Sequence, residues 1–363
     1  MPRAFNPRSR LTGTATAAAI NSWFGGGFFA LQNTVIIGTG NTSPYIAAYP
    51  FTGGIGFGTK YSDPATVPST QVAGVAFSPS GADVAVGHAA SPFISAYPFS
   101  KASGFGTKYA NPATLPTTAG KRLNFSRSGT EIALSTTATP FILVYPWSSG
   151  FGTKYANPAT LPTGAGFGVS WSQSDANIVV SHQTSPFLAA YPWSAGFGTK
   201  YANPATLPGG YGYGVAFSPS GADVVMGSPN TGAASTAAYP FSSGFGTKYS
   251  APASTPAYAY GVAFSPSGAD VAIGSSTPKI SVYPWTSGTG FGTRYSQPAT
   301  ALNGTARGVA FSPSGADIVI AGLNDPSPLI SAYPWTSGTG FGTKYSDPAT
   351  LPAGNYGLSI AII

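Results

Sequence analysis

The 363-residue chain contains no cysteine, which excludes disulfides and thiolate metal sites and leaves the redox compartment open. Charged residues are only 7% of it, far below the roughly 25% of an average soluble domain, so solubility must rest on Ser, Thr and Gly. No apolar run approaches the roughly 18 residues of a membrane span. The opening MPRAFNPRSRLTGTATAAAI places a short, Thr-interrupted apolar stretch behind its basic residues, a poor signal-peptide core, and export is expected to use another route. Two histidines and one glutamate, Glu131, leave little material for catalysis. Zinc needs three or four convergent ligands, and a Ser-His-Asp set could be drawn only from scattered turns. The expectation is a non-enzymatic protein without a cofactor.

What the chain has in abundance is Gly (48), Pro (34), Tyr (20) and Phe (23), with 6 Trp. That much apolar surface offsets the entropy of ordering, as disordered segments cannot. Tyr-Pro-(Phe or Trp) begins at Tyr49, Tyr97, Tyr145, Tyr191, Tyr239, Tyr283 and Tyr333, so seven copies of a unit of 44 to 50 residues fill nearly the whole chain.

In the second copy, Gly74 to Phe77 favours a strand and stops at Ser78-Pro79-Ser80-Gly81, a tight-turn sequence. Asp83 to Val86, Phe93 to Tyr97 and Phe105 to Tyr109 supply three more short strands, punctuated by Gly and Pro. No helical period occurs. Four antiparallel strands per unit predict an all-β, seven-bladed β-propeller of four-stranded antiparallel blades spanning 27–363, preceded by an extended N-terminal arm, 1–26. GVAFSPSGAD recurs verbatim at 74–83, 214–223, 261–270 and 308–317, with divergent forms KRLNFSRSGTE at 121–131 and GVSWSQSDAN at 168–177. This pattern resembles the WD40 repeat, with Tyr-Pro-Trp or Tyr-Pro-Phe standing for Trp-Asp and without the Gly-His pair of that family. The combination of YPW, GFGTKY and PATLP is similar to WD40-like proteins of tailed bacteriophages. Tyr356 to Ile363 aligns with a first strand and is expected to supply the inner strand of the first blade and close the ring, with Phe28 to Leu31 as the alternative.

Four sets of residues call for a functional or structural reading. Lys60, Lys108, Lys154, Lys200, Lys248, Arg294 and Lys344 recur at one place in the unit and could form an anion-binding ring, although protection of an exposed strand edge explains them more simply. Trp147, Trp193, Trp285 and Trp335 could stack sugars, although burial between blades suits their interchange with Phe better. Asp83, Glu131, Asn177, Asp223, Asp270 and Asp317 follow turns, and their side chains are expected to bond local backbone N–H groups. In the unrepeated arm, Arg3, Arg8 and Arg10 are candidate assembly contacts, with a disordered tail as the alternative. The phage resemblance implies a virion structural or attachment protein, oligomeric within an assembly and bound to other virion proteins through residues 1–26. A lectin-like propeller binding host-surface glycans is the alternative; no nucleic acid is expected, and the other localisation is a soluble extracellular or cytoplasmic protein. Recurrence is itself weak evidence of a site, so the arm and the divergent third and fourth copies are the better places to look.

Overall fold

Each repeat folds as an antiparallel sheet, and the second shows why. The computed structural model describes residues 32–300, 302, 304–323 and 328–363; the expected arm, with Arg3, Arg8 and Arg10, and Phe28 to Leu31 lie outside them. Val72–Phe77 ends at a turn in which Gly81 takes a φ of 72°, a conformation that a Cβ would resist. Gly81 N donates to Ser78 O at 2.8 Å, and Asp83 N donates to Ser78 Oγ at 3.0 Å. The chain returns as Asp83–His88, buried throughout, because this second strand is covered on both faces. Ile94–Ser100 follows as the third strand.

The fourth strand is shorter than the sequence suggests. Only Gly104–Phe105 forms it, and in the third to fifth repeats it shrinks to the single bridges Trp147–Phe151, Trp193–Phe197 and Phe241–Phe245. Pro98 is the reason: its carbonyl accepts from Gly106 N at 2.8 Å, and the N–H it lacks would have pointed the same way. Beyond Phe105 the chain still follows the third strand, with Tyr109 N donating to Ala96 O at 2.9 Å.

Successive repeats bury their faces on one another. Among the described residues the apolar core divides into clusters that each join one repeat to the next, such as Leu134 and Trp147 with Ala85 and Ile94, and one joins the seventh to the first through Val319, Ile330, Val35 and Tyr49. Each seam is filled by edge-on aromatics, as where Trp147 meets Tyr109 at 5.2 Å, Phe125 at 5.6 Å and Phe151 at 5.1 Å. The two ends of the described chain meet: Tyr356–Ile362 pairs antiparallel with Asn33–Gly40, from Ile362–Val35 to Tyr356–Gly40. A further pair, Leu323–Tyr356, links the first and seventh repeats into one eight-stranded sheet. No α-helix occurs among the described residues, whose one helical turn is the 3-10 segment Gly232–Ser235. The result is an all-β, propeller-like array of antiparallel sheets.

Candidate functional site

Five of the seven cations at the repeated position are held by a residue three places on. Lys108, Lys154 and Lys200 each bond an Asn three residues on, at 2.5, 2.7 and 2.6 Å, and Lys60 and Lys344 pair with Asp63 and Asp347. Lys248, which has Ala251 at that place, reaches Leu207 O at 3.5 Å; Arg294 is followed by Gln297. Burial lowers the pKa of Lys108, Lys154, Lys200 and Lys248.

Trp147, Trp193, Trp285 and Trp335 are buried to within 4–7% exposure, with no indole face free for a sugar. Their partners were not foreseen. Asp83 accepts Tyr109 OH at 2.7 Å and, from the next repeat, Trp147 Nε1 at 3.2 Å. Asp223 does the same with Tyr249 and Trp285, and Asp270 with Tyr295 and Trp335. The carboxylates do not make the expected bonds to local backbone: at the turn the aspartate N–H donates to a serine hydroxyl, which frees the carboxylates to join consecutive repeats. Burial and the adjacent Asp83 push Tyr109 up to about 12.

The first strands of all repeats line one central cavity of about 620 Å³ at the Ser-Pro-Ser-Gly end, from Val75 and Ala76 to Ile363. Several of its polar groups bond one another. Arg127, which replaces Pro79, donates from Nε to Gln173 Oε1 at 2.7 Å. The Asp175 carboxylate takes the backbone N–H groups of Arg127 and Ser128 at 2.6 and 2.7 Å.

The opposite end of the same strands differs. In five repeats the first strand loses register near its start, between Val72 and Gly74 in the second and at matching places in the third, fourth, sixth and seventh. The extra residue leaves the ladder and is aimed elsewhere, as bulges do. Reading the repeats in order from the second, this position holds Ala73, Lys121, Phe167, Tyr213, Tyr260 and Arg307, with Leu358 completing the set. A glycine follows in five repeats because the next chain passes too closely for a side chain: a Cβ at Gly74 or Gly214 would lie 2.2 or 2.1 Å from the carbonyl oxygen of Lys121 or Tyr260. The third repeat instead carries Arg122, whose N–H and C=O are both held by Ser135 Oγ, at 3.1 and 3.0 Å.

These side chains converge. Arg122 Nη2 donates to Arg307 O at 2.7 Å, and Arg307 Nη1 donates to Tyr213 OH at 2.8 Å. The Arg307 guanidinium lies 4.0 Å from the Tyr260 ring centre and 5.3 Å from that of Tyr213, while Lys121 Nζ stands 6.0 Å over Phe167. Phe167 stacks on Tyr213 at 5.3 Å. Arg307 Nε is buried without a partner, and among the described residues no carboxylate pairs with Lys121, Arg122 or Arg307. Burial pulls the Arg122 pKa below its ordinary value; Tyr213 opposes this and the Arg307 charge adds to it. Two guanidinium groups, an ammonium and an aromatic wall can hold a flat, electron-rich group and stabilise negative charge on it. The cluster lies where the copies disagree: Lys121, Arg122 and Phe167 belong to the third and fourth copies, whose divergence the sequence already displays, and the variable residue ahead of Gly-Val-Ala-Phe is the signal that adds Tyr213, Tyr260 and Arg307.

No family model matches the chain, and no curated protein sequence does so either. The fold has many solved counterparts. A protein of Bacteroides uniformis provisionally assigned as a 6-phosphogluconolactonase is 14% identical, with a TM-score of 0.68 over 92% of this chain and 99% of that one. Another so assigned, from Bacteroides fragilis, is 13% identical, with a TM-score of 0.68 over 92% and 98%. The periplasmic gluconolactonase of Pseudomonas aeruginosa is 13% identical, with a TM-score of 0.69 over 92% and 99%.

These findings correct the functional expectation. The counterparts are named as enzymes, one of them periplasmic, so the non-enzymatic virion structural or attachment protein, its glycan-binding alternative and the virion localisation are set aside. The residues that carry the phage likeness lie in the seams and crossovers, which serve any such sheet array. At this identity the likeness establishes the fold, a propeller-like all-β architecture.

Proposed function

We propose that the repeats are the seven blades of a closed β-propeller and that the protein is a hydrolase of lactone esters derived from sugar acids, acting at the axial mouth ringed by Lys121, Arg122, Phe167, Tyr213, Tyr260 and Arg307. The observation that carries this reading is that otherwise uniform repeats diverge into cations and aromatics at one bulge position, and that the divergent side chains meet. The names of the solved counterparts supply the substrate class. In lactone hydrolysis water adds to the ring-ester carbonyl carbon, the carbon–oxygen ring bond breaks, and the ring oxygen leaves as a hydroxyl beside a new carboxylate. The guanidinium donors of Arg122 and Arg307 stabilise the oxyanion formed on addition, in a partly desolvated setting where such donors act strongly.

The test is acid release from glucono-δ-lactone followed with a pH indicator, corrected for spontaneous opening. Acceleration by the protein, with kcat/KM falling at least about tenfold in R122G, is expected. No acceleration with this lactone or its 6-phosphate would overturn the reading.

A further inference from the structure

From the unpaired guanidinium groups we infer that the axial mouth is an anion clamp that holds a small oxyanion, carboxylate or phosphate, in the resting protein. This deepens the axial-mouth reading but does not require hydrolysis. Arg122 and Arg307 approach until one bonds the backbone of the other, Lys121 adds a third positive charge from the same strand as Arg122, and no carboxylate among the described residues balances them. All three are half-buried, and cations that have lost part of their water are ordinarily paired. Here Arg307 Nε is sealed from solvent with no partner, and Arg122 spends one bond on Arg307 and keeps further donors. Tyrosine and phenylalanine faces partly compensate the cations but take up none of the N–H donors. A planar guanidinium grips a carboxylate or phosphate with two parallel bonds, so the missing partner is an oxyanion. In the proposed reaction the product carboxylate would occupy this clamp, and free phosphate would compete with substrate for it.

The repeats themselves provide variants suited to folding. R122G installs the glycine that five other repeats carry, R307Y the tyrosine of the fifth and sixth, and K121A the alanine of the second. Calorimetric titration of the full chain at low ionic strength with inorganic phosphate and, separately, with D-gluconate distinguishes the two anion sources. Saturable binding of one or both, weakened at least about tenfold in R122G and in R307Y and weakened by added salt, is expected. The substitution K60Q, in an outer loop, should leave it unchanged. Absence of binding by either anion, or binding that survives R122G combined with R307Y in protein whose far-ultraviolet circular dichroism is native, would overturn the clamp. Hydrolysis without anion binding would sink the clamp and spare the lactonase reading; anion binding without hydrolysis would do the reverse.

Discussion

His88 and His182 occupy the same place in the second and fourth repeats but differ in company. His88 is held by Ser69 Oγ at 3.3 Å and Ser95 Oγ at 3.1 Å. Around His182 the first serine has become Thr163, whose hydroxyl donates to Ser185 O, and the second has become Ala189, so the imidazole has no side-chain partner. Ala189→Ser should restore the missing bond and stabilise the fold by about 1 kcal/mol, read as a higher urea midpoint; an unchanged or lower midpoint would show that the pocket does not admit the hydroxyl. Burial, the largest cause, lowers both histidines from 6.5 to about 4. Between those values the unfolded chain binds more protons than the folded one, so stability is complete above pH 6.5 and declines as pH falls toward 4. The loss is roughly 3 kcal/mol per histidine. Urea midpoints at pH 7.5 and pH 4.5 should differ accordingly, and equal midpoints would contradict the burial of neutral imidazoles.

At the scale of strands and seams, the bond from one repeat's aspartate to the next repeat's tryptophan sets the energetics. Asp223→Ala removes the acceptor of both Tyr249 OH and Trp285 Nε1, and leaving these donors unmatched in a packed seam should cost about 2–4 kcal/mol. Trp285→Phe should cost less, because phenylalanine already fills the equivalent place at Phe51 and Phe241; a thermal melt in which Trp285→Phe is the more damaging change would refute the ranking. The strands were legible because period-two runs and Ser-Pro-Ser-Gly turns are local. The shortened fourth strand was not, since it follows from which way Pro98 presents its missing N–H. The aspartate staple was hidden by distance, with Tyr109 26 and Trp147 64 residues from Asp83. Lys121 and Arg122 were visible as a departure of the third repeat, but the 185 residues between Arg122 and Arg307 kept their meeting out of reach of any local pattern.

For the whole molecule, closure and site depend on each other. Ile360 belongs to the seam shared by the first and seventh repeats, and Tyr356–Ile362 pairs with Asn33–Gly40, so the far end of the chain seals the array. Removal of residues 356–363 would expose the inner edge of Asn33–Gly40, a row of unpaired backbone groups beside Val35 and Ile37, and such an edge recruits other chains. Arg122 and Arg307 come from the third and seventh repeats, and their approach depends on every intervening seam. The truncated chain is therefore expected to self-associate on size-exclusion chromatography and to lose anion binding although both arginines remain. A synthetic peptide covering residues 354–363, added in trans, should restore the monomer and the binding together, because strand addition supplies the missing ladder without altering the mouth. Recovery of the monomer without recovery of binding would show that the mouth is not held in place by closure. A truncated chain that stayed monomeric and kept its unfolding midpoint would show that the seams alone hold the ring.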